Sequence, residues 1–312
     1  MDHTTLGNTG LIVSVAGLGC GGHSRIGQNT GLSEAESVAL AQRALDLGIN
    51  IIDTAEGYRT ESIVGQAIAD RRDEVVISTK KSMHKDDQII TPDDLVAGVE
   101  ASLKRLGTDR IEILHLHAVM PDDYSYAREH LVPKLLDLRD AGKILHLGVT
   151  EMFHQDCGHE MLRKAVADDC WEVVMVGFNI LNQCARDRLF TTTMAKGIGT
   201  LCMFAVRRAF SRPDDMRRLV GELLESGQVD ADAIDADDPL AFIVRDGIAE
   251  TLAEAAYRFC RDEPGMDVIL TGTGSVEHLE ANVASINMPP LPEETADALR
   301  AIFERVDSVS AQ

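Results

Sequence analysis

Short apolar runs of strand length alternate along this chain with longer segments in which apolar residues recur every third or fourth position. Runs of the first kind read as buried strands and segments of the second as amphipathic helices. The pattern predicts strands over Val15–Gly19, Ile49–Asp53, Val75–Thr79, Ile111–Leu116, Ile144–Val149, Val173–Phe178, Gly199–Phe204 and Val268–Leu270, eight in all. Ahead of them, Leu6-Gly7-Asn8-Thr9-Gly10-Leu11 reads as a short hairpin with a Gly-rich turn. Several intervening helices have readable ends. Ser33-Glu34-Ala35-Glu36 is a capping box, because the Ser hydroxyl and the Glu side chain can each satisfy a free backbone N–H. That helix runs to Leu47, with Gly48 placed for a left-handed C-terminal cap. Thr91-Pro92 opens another that Gly107 closes, and Gly142 ends the helix before the fifth strand. Continuous apolar stretches such as Val173-Val174-Met175-Val176 fit a parallel sheet covered on both faces.

Eight strand–helix units predict a (β/α)8 TIM barrel, α/β in class, spanning 1–312 as one domain with a short N-terminal hairpin. An open doubly wound sheet is the competitor. Gly17-Leu18-Gly19-Cys20-Gly21-Gly22 comes near the dinucleotide fingerprint, but its helix begins only at about Ser33, too late for a tight phosphate turn. A long connection follows the seventh strand; it holds a helical stretch, Pro213–Glu225, and an acidic run from Asp230 to Asp238. That run lacks the central Gly and terminal Glu of a calcium loop, so a solvated turn is the better reading.

Charge narrows the partners. The 312 residues carry 30 Lys+Arg against 51 Asp+Glu, a formal net charge of −21, which argues against nucleic-acid or anionic-membrane binding. No apolar run is long enough for a membrane span, and the first residues lack the pattern of a signal peptide. Six scattered cysteines with no Cys-x-x-Cys pair point to reduced thiols and a cytoplasmic location.

The rim at the C-terminal ends of barrel strands is where barrel enzymes place their chemistry. Here the second strand runs into Asp53 and Tyr58, the third into Lys80, and the fourth into His117. Neighbouring strands lie about 4.8 Å apart, so these four can converge. A Lys cation beside a phenol favours the phenolate and lowers its pKa, a carboxylate keeps the Lys charged, and an imidazole can orient a carbonyl oxygen. The set suits protonation of a carbonyl oxygen as a hydride arrives, whereas acyl transfer wants a Ser or Cys paired with a base. Each residue alone also has an ordinary structural reading, as a cap or buried pair. Lys81 is set aside because strand alternation points it to the opposite face, and His115 reads as a barrel-interior histidine.

Asp53-Thr54-Ala55-Glu56-Gly57-Tyr58, Thr79-Lys80, Arg110-Ile111-Glu112-Ile113-Leu114-His115-Leu116-His117 and Gly142-Lys143-Ile144-Leu145-His146-Leu147-Gly148-Val149-Thr150-Glu151 resemble the tetrad segments of the aldo-keto reductases. The resemblance implies NAD(P)H-dependent reduction of an aldehyde or ketone, or oxidation of the alcohol. It makes Tyr58 the general acid/base, Lys80 and Asp53 its tuners, and His117 the substrate orienter. It also implies a nicotinamide cofactor across the rim. Thr150-Glu151 match the family's Ser-Asn pair on the carboxamide, Met175 stands where Gln is usual, and Phe178 matches the stacking aromatic.

The segment Gly272-Thr273-Gly274-Ser275, with the helix reaching Asn282, reads by itself as an anion site at a helix start, although a plain turn and cap would look alike. The resemblance assigns it to the adenosine phosphate, with Gly274 where Arg or Lys is common. Arg207 could reach the same phosphates. NADP is the expected cofactor, with NAD as the alternative. A cofactor-binding regulatory or scaffold barrel is the rival function. No metal is expected, since the nearby His154, Cys157 and His159 match no zinc spacing. Partners are expected to be a small carbonyl or alcohol, with no nucleic acid or membrane. His23, Tyr124 and Tyr126 are candidates to line the substrate pocket. Substrate identity and oligomeric state have no readable code in the sequence.

Overall fold

The computed structural model describes residues 1–86 and 88–312. Eight parallel strands form a closed barrel: β1 (Ala16–Gly19), β2 (Ile51–Asp53), β3 (Val76–Ser82), β4 (Ile111–Val119), β5 (Ile144–Glu151), β6 (Val173–Gly177), β7 (Gly199–Met203) and β8 (Val268–Thr271). They follow chain order around the barrel, and β8 closes onto β1 through Ile269↔Ala16 and Thr271↔Leu18. Every strand expected from the apolar pattern is present. Four run further than that pattern, β8 by one residue to Thr271. β3, β4 and β5 continue to Ser82, Val119 and Glu151 because pairing persists through polar positions such as Lys80↔His115 and Ser82↔His117. Their inward side chains satisfy one another, so the ladder has no reason to stop where the apolar residues do.

The helices include α1 (Glu34–Asp46), α2 (Glu61–Ile68), α3 (Pro92–Leu106), α4 (Val132–Asp140), α5 (Glu160–Ala167), α6 (Thr191–Lys196), α7 (Pro213–Glu225), α8 (Leu252–Arg261), α9 (Val276–Ile286) and α10 (Glu293–Phe303). The expected capping box forms, with the Ser33 hydroxyl accepting from the Glu36 N–H, and the helix start at Thr91-Pro92 carries a second one that the sequence reading did not name, with Thr91 accepting from Asp94. Within the long connection, α7 forms as the periodicity predicts, and the aspartates from 230 to 238 are exposed. No helix among the described residues is long and apolar enough to cross a membrane.

Apolar burial occurs in two shells. Most of it lies between the barrel and its helices. A smaller cluster fills the barrel floor and joins Ile51, Val76, Ile113, Val173, Leu201 and Val268 to Leu6 and Val13 of the N-terminal hairpin. The hairpin strands, His3–Thr5 and Ile12–Ser14, pair antiparallel beneath the barrel, at the end opposite the catalytic rim. Leu6 is fully buried there against Gly199, the first residue of β7. Leu6→Ala is therefore expected to destabilise the protein by about 2–5 kcal/mol through an unfilled cavity, read as a lower midpoint in urea unfolding.

Candidate active site

Asp53 ends β2, Tyr58 closes the 3-10 turn Glu56–Tyr58 that follows it, and Lys80 and His117 lie in β3 and β4. The structure brings all four together. Lys80 Nζ donates to Asp53 Oδ2 at 2.5 Å and to the Thr54 carbonyl at 2.8 Å. The same ammonium lies 4.9 Å from the centroid of the Tyr58 ring. The Tyr58 hydroxyl meets His117 Nε2 at a long 3.4 Å, with the two rings edge-on at 86°. Strand alternation turns Lys80 into the barrel and Lys81 out to the helix layer, where Lys81 pairs with Glu56 at 2.7 Å.

Burial sets the proton states. It pushes the Tyr58 phenol above its ordinary range; the Lys80 charge pulls the other way but does not win. The expectation from sequence of a lowered phenol pKa is thus corrected: in the cofactor-free protein Tyr58 keeps its proton, the state a general acid needs. Burial works to lower the Lys80 pKa, yet the Asp53 carboxylate, through its charge and its hydrogen bond, opposes it and the ammonium is held above its usual range. His117 is lowered to about 3 by burial and the Lys80 charge, so it stays neutral at physiological pH.

Asp53 and Tyr58 of the tetrad line a cleft of about 990 Å³, whose lining does not include Lys80 or His117. One wall carries Gly272, Thr273, Gly274 and Ser275 between β8 and α9, with Asn282 further along the helix. Ser275 caps α9 by accepting from the His278 N–H at 3.3 Å, and Asn282 donates to Thr271 Oγ1 at 2.9 Å. Arg207, Arg208 and Arg212 form the facing wall, and Asp53 is the one carboxylate among the lining residues. A helix N-terminus, guanidinium groups and the Phe204 ring make a donor set that fits an anionic dinucleotide.

Comparison with known proteins agrees with this geometry. The model of the Aldo/keto reductase family matches residues 17–304. This chain belongs to that family. It is therefore an NAD(P)-dependent oxidoreductase. The chain is 28% identical to the aldo-keto reductase YhdN of Bacillus subtilis (strain 168), over 99% of this chain and 95% of that one. It is 27% identical to versiconal hemiacetal acetate reductase of Aspergillus parasiticus, covering 94% and 95%. Its fold matches the holo form of aldo-keto reductase AKR11C1 from Bacillus halodurans with a TM-score of 0.75, at 21% identity and covering 98% and 97%.

Two cofactor positions expected in this aldo/keto reductase are corrected. Thr150 is not among them: its Oγ1 accepts from the Ala118 N–H at 2.7 Å and keeps its own proton to donate. Glu151 faces the helix layer, fully buried, where its carboxylate accepts from the Gly177 N–H at 2.8 Å and meets His159 Nδ1 at 2.9 Å. Burial would lower the His159 pKa, but the Glu151 charge lifts it to about 10, so the two form a structural ion pair. Phe178 lies one residue beyond β6, fully buried, with Phe190 and Phe259 as ring neighbours and no face on the cleft. Met175 lines the cleft as an apolar wall.

Sequence reasoning missed Phe204, whose ring does line the cleft, with the Arg207 guanidinium 4.0 Å from its centroid. Its place at the end of the seventh predicted strand was the available signal. It also missed Gln312, whose side chain accepts from Arg207; nothing in the sequence ties the last residue to the rim. His23 lines the cleft as expected, whereas Tyr124 bonds Asp168 and Tyr126 bonds the Ile90 carbonyl, outside the cleft's lining. Among the described residues no cluster of three or more His, Cys, Asp or Glu side chains could hold a metal.

Gly274 has a steric reason to be Gly. A Cβ there would stand 2.6 Å from Thr30 Oγ1 and 2.8 Å from Gly27 Cα, because the loop after β1 closes onto this turn. Gly274→Arg is expected to weaken binding of the nicotinamide cofactor about tenfold or more in fluorescence titration, by displacing the loop.

Proposed function

We propose that this protein is a single-domain enzyme that reduces an aldehyde or ketone with Tyr58 as the proton donor, or runs the reverse oxidation. The observation that carries the reading is the placement of one protonated phenol between a charged Lys80 and a neutral His117. The Gly272–Ser275 turn and Arg207 would hold a nicotinamide cofactor, which when bound would supply a hydride to the carbonyl carbon. The Tyr58 hydroxyl gives its proton to the carbonyl oxygen, and the Lys80 charge stabilises the phenolate that remains. Asp53 holds Lys80 charged despite its burial. His117, uncharged, hydrogen-bonds the carbonyl oxygen and fixes the face that meets the hydride.

NADP is the proposed cofactor, ahead of NAD. Arg207, Arg208, Arg212 and His278 gather on one cleft in a chain of net charge −21, beside the Gly272–Ser275 turn, which supports recognition of an extra phosphate. A cytoplasmic location is proposed from the reduced cysteines alone, all six of which are free.

Tyr58→Phe is expected to lose about 10²–10⁴-fold in turnover while keeping its affinity for cofactor, because the variant lacks only the transferable proton. Steady-state rates with a panel of small aldehydes, read by nicotinamide absorbance, check the first part; unimpaired turnover removes Tyr58 from the mechanism. Parallel fluorescence titrations with NADPH and NADH are expected to give the tighter constant for NADPH. Equal constants would show that no residue here reads the 2′-phosphate.

A further inference from the structure

Directly beneath the tetrad, the barrel interior departs from its apolar floor. Ser78 and His115 occupy inward positions on β3 and β4, both fully buried, just above Val76 and Ile113 of the floor cluster. Ser78 Oγ lies 2.8 Å from Asp53 Oδ1 and 3.1 Å from His115 Nε2. Room for this imidazole is made by Gly148 on β5, where a Cβ would fall 2.3 Å from His115 Nδ1. Nδ1 itself has no hydrogen-bond partner among the described residues. The Nε2–Ser78 contact is the one side-chain hydrogen bond of the ring among the described residues, and the nearby Val149 backbone favours the charged ring too little to offset burial.

We infer that His115 is a positioning residue, which acts through Ser78 to fix the orientation of the Asp53 carboxylate. The inference rests on the role proposed above for Asp53, Lys80 and Tyr58. An ionised carboxylate only accepts, so the single Ser78 hydroxyl proton points to Asp53 Oδ1. Ser78 Oγ then accepts from the Nε2–H of His115, which fixes the imidazole tautomer. Burial and the Lys80 charge keep His115 neutral, well below its ordinary pKa, so the ring adds a donor without a competing charge. With Oδ1 held by Ser78, only Oδ2 faces Lys80. Released, the carboxylate is free to turn both oxygens on the ammonium and draw it away from the Tyr58 ring.

The groups around Asp53 are Lys80 on β3, Tyr58 after β2, Cys20 after β1, and His115 through Ser78. Burial raises the Asp53 pKa, while Lys80 and Ser78 oppose it. Loss of the Ser78 contact therefore moves the acid limb of a kcat/KM profile upward.

The test uses the full chain with NADPH and an aldehyde that the wild type reduces. His115→Leu and Ser78→Ala are each expected to lower kcat about tenfold and raise the acid limb by about one pH unit. The double variant is expected to be no more than about twofold worse than either single, since the two act in series. His115→Gln, which restores a donor, is expected to recover most of the rate. Multiplicative losses, an unmoved acid limb, or equal damage from Gln and Leu would overturn the inference and leave His115 as filling.

A second measurement does not depend on turnover. ¹⁵N-histidine NMR of the cofactor-free protein is expected to show His115 neutral and protonated on Nε2 from pH 5 to 9, with that resonance displaced in Ser78→Ala. An Nδ1–H tautomer would sink the proposed wiring. A wild type that reduces no carbonyl would instead sink the functional reading, and leaves the NMR result to judge the wiring by itself.

Discussion

A buried ammonium needs a counter-charge, and the arrangement of this rim follows from supplying one to Lys80. Removing an ion from water costs several kcal/mol unless charge and hydrogen bonds replace the lost solvent. Asp53 Oδ2 and the Thr54 carbonyl do that for Lys80, at 2.5 and 2.8 Å. Once the pair is anchored, the cation stands beside the Tyr58 ring and its field adds to burial in keeping His117 uncharged. The same burial that makes the pair costly also keeps the proton on Tyr58.

Strand parity decides which charged residues become reactive. Lys80 and His117 sit at inward positions of β3 and β4, whereas Lys81 and Glu151 point to the helices. Glu151 and His159 form a charged pair as buried as that of Asp53 and Lys80, but it faces a packed layer, stacked on Phe153, with no cleft beside it. Chemical type alone does not separate a structural pair from a reactive one. The direction of the side chain does.

Electrostatics of the whole chain and of the cleft have opposite signs. A net charge of −21 repels anions at a distance, yet Arg207, Arg208 and Arg212 gather on one wall, and the single lining carboxylate is already neutralised. Short-range donors in a concave, partly desolvated site outweigh a screened long-range field. The loop after β1, packed on Gly274, adds the steric half of that recognition.

Periodicity and punctuation determined the fold by themselves. Apolar runs marked all eight strands, and the capping box at Ser33 and the Thr91-Pro92 pair marked two helix starts, because both signals are local. The tetrad was legible for the same reason: in a parallel barrel the ends of consecutive strands are neighbours, so sequence order gives spatial order. What local signals did not decide was where residues go at strand ends that differ from the ends of the apolar pattern. β5 continues through Glu151 and sends it to His159, Phe178 falls among Phe190 and Phe259, and Phe204 takes the place at the cleft. The contact between Gln312 and Arg207 joins residues far apart in the chain, and only the packing of the closed barrel brings them together.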